Sequence, residues 1–292
     1  MADIPVSVPV FATLQDQRDD VLAEHQNDPN DEISALAAMV GMSGELQSKN
    51  SAIMNLFRFM LNVLPEITWI DETTIEVEAK VVCFFDGTDF VIKRNTSAIQ
   101  LDLSDSGDLG LDTGSEASST WYYVWLTGDG TGTTFSAVFS ASASAPTGYD
   151  YVKLIGAVYN DGSSNIRKFF QQGKKIWYDT PVNVVSGADY DSGPTTVSFA
   201  AAIPSISRYA SFRVYQEGTA ANTRFGMAIN GSARSYSGAE DYDLFGDPNG
   251  SGNQHVQATI DCFLDDSQQV AIKSFNASSI DIDVRWFELD ID

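Results

Sequence analysis

The 292-residue chain carries 17 Lys and Arg against 40 Asp and Glu, a net charge of −23 at pH 7 with only 20% of residues charged. That balance argues against nucleic-acid binding by phosphate neutralisation and against basic-patch recognition of anionic lipid. A hydrophobic content of 43% with 11% aromatics also argues against a disordered acidic tail and for packed cores.

Divided at residues 64 and 180, the net charge is −6, −8 and −9, so the acidity is spread along the chain. The aromatics divide unevenly over the same segments, as three, seventeen and thirteen. The start, MADIPVSVPVF, has no basic stretch and no apolar core of a leader, so no signal peptide is expected. No run approaches the ~20 apolar residues of a spanning helix, and no membrane insertion is expected. Cys83 and Cys262 lie far apart and match neither a metal spacing nor a disulfide framework; two buried thiols in separate domains are expected.

In chain order, residues 1–30 read as an extended stretch, IPVSVPVF, followed by a short helix from about Ala12 to Gln26. Pro29 stops that helix, and Asn30 or Asp31 can cap the next. Within 31–65, steps of three and four fall on Ile33, Leu36, Val40, Ser43, Gln47, Asn50, Met54, Phe57, Leu61 and Leu64. This is close to a 3.5-residue repeat, the period of a coiled-coil seam. At about 1.5 Å per residue such a helix is a rod of roughly 50 Å. The stripe needs a partner, and the chain offers only one shorter helix, so self-association is the expected reading, with Gln47 and Asn50 setting register. A helical hairpin packed on the next domain is the alternative, and Gly41 and Gly44 count against a continuous coil.

From Pro65 onward the pattern is strand. ITWIDETTIEVEAKVVCFF alternates, placing Ile75, Val77 and Ala79 on one face and Glu76, Glu78 and Lys80 on the other. Hairpins are expected around DGTD at 86–89, around GDGTGT at 128–133, and from YDYVKLIGAVYN through DGSSN to IRKFFQQ. After TPVNVVSGADYDSGP, read as a linker, further strands are expected at TVSFAA, YASFRVYQEG, TRFGMAING, SARSYSG, HVQATIDCFLD, QQVAIKSF and SIDIDVRWFELD. The fold class expected is mainly β: an N-terminal helical, coiled-coil-like segment, then two antiparallel β-sandwich-type domains at 66–180 and 181–292, the second jelly-roll-like.

Motifs for chemistry are weak. Asp112-Thr113-Gly114 and Asp191-Ser192-Gly193 mimic the paired aspartates of aspartic proteases, but the second lies in a polar stretch and Asp105-Ser106-Gly107 repeats the pattern. Asp and Gly are standard turn formers, and turns are expected at all three. Asp241, Asp243 and Asp247 with Asn249 are a weak Ca²⁺ candidate without EF-hand spacing. His25 and His255 stand apart from any cysteine, so no zinc site is expected. GDGTGT leads into a strand, not a helix, so no phosphate cradle and no cofactor are expected. Tyr236, Tyr242 and Phe245 lie in Gly/Ser-rich segments and are the candidate receptor contacts, with aromatic faces beside Asp and Asn acceptors that suit sugars.

Residues 109–179 resemble a module of bacteriophage tail-fibre and other virion appendage proteins. The resemblance is carried by Gly110-Leu111-Asp112-Thr113-Gly114, Thr120-Trp121-Tyr122-Tyr123-Val124, Phe139-Ser140-Ala141-Ser142-Ala143 with Ala145-Pro146, Gly148-Tyr149, and Leu154-Ile155-Gly156-Ala157-Val158. Asn160-Asp161-Gly162-Ser163 and Phe170-Gln171-Gln172-Gly173 complete it. The loop between Ala145 and Gly148 is short, so no loop-borne contact carries over.

The resemblance supplies no catalytic residues and implies an oligomeric, usually trimeric, virion fibre held to the particle by its N-terminus. The expected function is accordingly non-enzymatic: a homotrimeric fibre assembled in a bacterial cytoplasm and carried on the virion. Ile4, Val6, Val8, Val10, Phe11 and Leu14 would face tail or capsid proteins. Ile33, Leu36, Val40, Asn50, Met54, Phe57, Leu61 and Leu64 would form the seam, and the distal β domain would meet a host glycan or protein. The alternatives are a capsid decoration or head fibre and a surface-glycan depolymerase; no β-helix repeat supports the latter.

Overall fold

The structure is a computed structural model that describes residues 65–85, 90–218, 223–231, 244–245 and 254–291. Residues 1–64, with the expected attachment segment and the helical seam from Ile33 to Leu64, lie outside the described residues. The described part is mainly β, built from several antiparallel sheets, and contains no helix.

Strands form where apolar and polar residues alternate. In β1 (Glu66–Trp69) and β2 (Thr74–Glu78) the inward positions Ile67, Ile75 and Val77 are fully buried while Glu66, Thr68 and Glu78 face solvent. Ala79 is buried too, and Lys80 is exposed, as the alternation requires. β5 (Ile99–Asp102) continues this sheet beyond β2, with Val77 opposite Ile99.

β3 (Val81–Phe85) and β4 (Phe90–Arg94) pair antiparallel as expected, with the 86–89 turn outside the described residues. β6 (Thr120–Gly128) pairs with β7 (Ser136–Ser140) on one side and β8 (Tyr151–Asn160) on the other.

One expected hairpin is replaced by a different connection. IRKFFQQ does not return along β8; beyond a lone bridge between Asn160 and Ile166, it leaves that sheet. Asp161 turns the chain by accepting the amides of Ser163 and Asn165, at 2.8 and 3.1 Å. β9 (Phe169–Gln172) then inserts between β1 and β10 (Lys175–Ala188). Burial decides this: Phe169 and Gln171 lose their exposure in the large sheet, whereas β8 already has β6 as its partner.

The stretch read as a linker is also different. Residues 180–188 are the second half of β10, so the 180/181 boundary falls inside a strand. Its β-branched Thr180, Val182, Val184 and Val185 suit a strand, and register shifts opposite β17 (Ala277–Leu289) accommodate the intervening polar residues. β12 (Ser207–Gly218) pairs with β17 and with β15 (Gln254–Phe263). The result is an eight-stranded sheet in the order β15-β12-β17-β10-β9-β1-β2-β5, drawing on both halves of the chain. A four-stranded sheet orders β11 (Thr195–Ser198), β16 (Gln269–Phe275), β13 (Arg224–Ile229) and β14 (Leu244–Phe245).

One continuous hydrophobic core joins these sheets. The Trp121 ring meets Phe287 edge-on, with centroids 5.8 Å apart, and its Nε1 donates to Ala200 O at 2.8 Å. Phe199 packs on Phe212 at 4.7 Å, and Tyr178 Oη donates to Ala202 O at 2.6 Å. Each fully buried Phe stabilises by roughly 2–3 kcal/mol, so sharing such rings binds the halves into a single unit from Val63 to Asp292.

Candidate functional site

The eight-stranded sheet has an inner face in the core and an outer face whose residues follow from strand alternation. On the outer face, five aromatic side chains stand on five neighbouring strands: Phe263 on β15, Tyr209 on β12, Trp286 on β17, Trp177 on β10 and Phe170 on β9. Tyr209 is paired in register with Phe263, Trp177 with Trp286, and Trp177 with Phe170. Ring centroids are 4.9 Å apart for Tyr209–Phe263, 5.7 Å for Tyr209–Trp286 and 5.8 Å for Phe170–Trp177. Phe263 is 62% exposed and Phe170 46% exposed, and the three rings between them are half-buried.

The rim of this row is polar and of mixed sign. Lys175 places its ammonium 4.4 Å from the Trp286 ring centroid, a cation–π contact, and stands opposite Glu288 in register. Arg285 Nη1 donates to Thr259 Oγ1 at 3.0 Å, and Asp261 lies opposite Ser211. Burial and the neighbouring Asp261 and Glu288 carboxylates push the Tyr209 hydroxyl above its ordinary pKa. Ser211 shares the outward-facing register of Tyr209 and is fully buried beneath the row, where its Oγ has no hydrogen-bond partner. Further along the face, Asp283 Oδ2 accepts from Arg213 Nε at 2.7 Å and Nη2 at 2.5 Å, while its Oδ1 accepts from Asn183 Nδ2 at 2.9 Å.

Elsewhere, a polar cleft of about 190 Å³ lies beside the β6–β7 hairpin, lined by Asp108, Asp129, Thr134, Phe135 and Tyr149 among others. Burial, then the neighbouring Asp108 carboxylate, push Tyr149 up to about 12.

Most of the sequence candidates lie outside the described residues. The attachment residues Ile4, Val6, Val8, Val10, Phe11 and Leu14 and the seam residues lie outside the described residues. So do Tyr236, Tyr242, Asp241, Asp243 and Asp247. Phe245 is placed by its backbone in β14, opposite Arg224.

The three Asp-x-Gly motifs sit in turns. Asp112 Oδ1 accepts the Thr113 amide at 2.7 Å, with Gly114 at φ +84°; Gly107 has φ +82°. Asp191 Oδ1 accepts from Ser274 Oγ at 2.5 Å, and the Asp191 amide donates to Asp189 Oδ1 at 2.8 Å. His255 Nδ1 is 2.6 Å from Tyr215 Oη and 3.2 Å from Glu217 Oε1, a surface cluster on β12 and β15. Cys83 and Cys262 are buried and form no disulfide. Among the described residues no three His, Cys, Asp or Glu converge as a metal cage.

The aromatic row lies on strands, not in the Gly/Ser-rich segments where the sequence suggests receptor contacts. A signal for it exists, however. Phe169-Phe170, Trp177-Tyr178 and Trp286-Phe287 are adjacent aromatic pairs within strands, and a period of two forces one ring of each pair outward.

Comparison of the chain with family models, with curated proteins and with solved structures returns no match.

Proposed function

We propose that the protein is a structural, non-enzymatic component of a phage virion: a homotrimeric fibre or fibre-like appendage that attaches by its N-terminus and presents its β part to the host surface. The observation that carries this reading is the motif set of residues 109–179. Its β strands and turns form a tightly specified framework around the three-stranded sheet of β6, β7 and β8. Gly110 lies where a Cβ would sit 2.4 Å from the Asp105 backbone carbon, Asn160 Nδ2 donates to Ala117 O at 2.8 Å, and Tyr122 Oη accepts the Ala117 amide at 2.7 Å.

In this reading residues 31–65 form the coiled-coil-like seam, and the sheets pack as antiparallel sandwich-type layers behind an outward face. The acidic surface, −23 per chain, keeps the assembly soluble and opposes stray association, so the seam is apolar where three copies meet.

Mass photometry of the full chain tests the trimer. The expected particle is three times 31.7 kDa, and a stable 31.7 kDa species at micromolar concentration overturns it. Blocking of phage adsorption by the purified chain tests the host-surface role, and cryo-EM of the particle distinguishes a tail from a capsid attachment point.

A further inference from the structure

We propose that the outer aromatic row of the eight-stranded sheet, Phe263, Tyr209, Trp286, Trp177 and Phe170, is a stacking platform for a neutral glycan chain. The assignment rests on the reading of the β part as the host-facing end.

Geometry comes first. The rings stand on five hydrogen-bonded strands as a trio, Phe263–Tyr209–Trp286, with centroid separations of 4.9 and 5.7 Å, and a pair, Trp177–Phe170, at 5.8 Å. Strands in a sheet are spaced by about 4.8 Å, so the trio and the pair follow one another across the strands as two apolar patches of one row. A sugar ring presents C–H groups on its faces and hydroxyls around its edge. The negative face of an aromatic quadrupole attracts the former, and the latter need donors and acceptors beside the track.

The polar groups fit that demand. Trp69 and Trp121, away from the row, each donate their indole N–H to a backbone carbonyl, at 3.0 and 2.8 Å. Trp177 and Trp286, on the row, donate theirs to no acceptor among the described residues, although their rings are packed. These two N–H groups reach solvent, unlike the buried and unpartnered Nε1 of Trp125 in the core, so each can donate to a sugar hydroxyl lying on the track. The buried, unpartnered Ser211 hydroxyl lies on the same face.

Charge selects the occupant. Lys175 stands opposite Glu288, Arg285 is bonded to Thr259, and Asp261 stands opposite Ser211, so the rim carries both signs on a chain of −23. An anionic polymer meets the long-range repulsion of that charge, whereas a neutral saccharide does not. An apolar protein surface would also leave the rim donors and acceptors unpaired.

The test uses the full chain on immobilised mannan, dextran, amylose, β-1,3-glucan and a neutral bacterial capsular polysaccharide, with hyaluronan and polysialic acid as charged controls. The expected result is salt-insensitive retention on at least one neutral polymer, with affinity falling at least about tenfold in Trp177→Ala and in Trp286→Ala. Ile70→Ala, an exposed apolar change elsewhere, should bind as the parent does. Trp286→Phe keeps a ring to pack on Tyr209 but removes the N–H. It should therefore melt like the parent and bind more weakly, which separates lost recognition from lost folding.

Retention on no neutral polymer, or only on the charged controls, overturns the proposal. A change of oligomeric mass in the Trp variants also overturns it, because the row is then a subunit contact. A monomeric parent that still binds glycan refutes the trimeric fibre and leaves the platform standing; a trimer that binds none does the reverse.

Discussion

Lys93 shows how single residues are constrained in this fold. Its side chain is 0% exposed, yet the ammonium is partnered: Nζ donates to Asp129 O at 2.5 Å and to Gly132 O, and lies 5.3 Å from the Tyr151 ring centroid. A buried cation is tolerated only with such compensation. Lys93→Met strands two hairpin carbonyls that lie near solvent, so a loss of about 1–2 kcal/mol is expected. An unchanged urea midpoint would contradict this. Gly110 is set by space rather than charge, since an added Cβ meets Asp105 backbone atoms at 2.4 and 2.5 Å. Backbone cannot retreat as a side-chain tip can, so Gly110→Ala should cost about 2–3 kcal/mol, read as a lowered thermal midpoint. The turn role of Gly110 was legible in its Gly-Leu-Asp-Thr-Gly setting. The partner of Lys93 was not, because it is set by a hairpin some forty positions away.

At the scale of elements, Asp283 joins three strands by accepting from Arg213 on β12 and Asn183 on β10. Arg213 keeps 44% of its side-chain surface, so it can turn to water when the pair is broken. Asp283→Ala should therefore cost about 1–2 kcal/mol, and an Arg213→Ala/Asp283→Ala cycle should show a coupling below about 1 kcal/mol. A coupling of several kcal/mol would mean the pair is far better shielded than its exposure indicates. Strand existence was largely legible, from β2 through β17, because alternation and turn residues are local. The partner of each strand was less so. IRKFFQQ reads as the return arm of a hairpin, but Phe169 and Gln171 are buried only between β1 and β10.

For the whole molecule, tyrosines make stability sensitive to alkali. Burial, then Asp108, raises Tyr149 from 10.0 to about 12, and full burial pushes Tyr178 up as well. The unfolded chain loses these protons first, so their contribution is complete below pH 10 and declines as pH rises from 10 to about 12. Thermal midpoints should be flat up to pH 10 and fall above it, with a shallower fall in Tyr149→Phe. An equally steep fall in that variant would remove Tyr149 as a source. At this scale β10 defeats a local reading: Thr-Pro-Val-Asn and Ser-Gly-Ala-Asp have the composition of a linker, but β17 lies alongside and supplies the hydrogen bonds that make them strand.

By itself the sequence determined the acidity, the mainly β character, the turn role of the Asp-x-Gly motifs and which residues alternate inward, since these depend on composition and on neighbours two to four positions away. Tertiary structure alone decided that residues from both halves share one eight-stranded sheet, and that five aromatics from separate strands stand in one row on its outer face. Such a row is a property of register between strands, and register is set by burying the opposite face: Phe169, Ile176, Tyr178, Ala210 and Phe287 turn inward, and that burial turns Phe170, Trp177, Tyr209 and Trp286 to solvent.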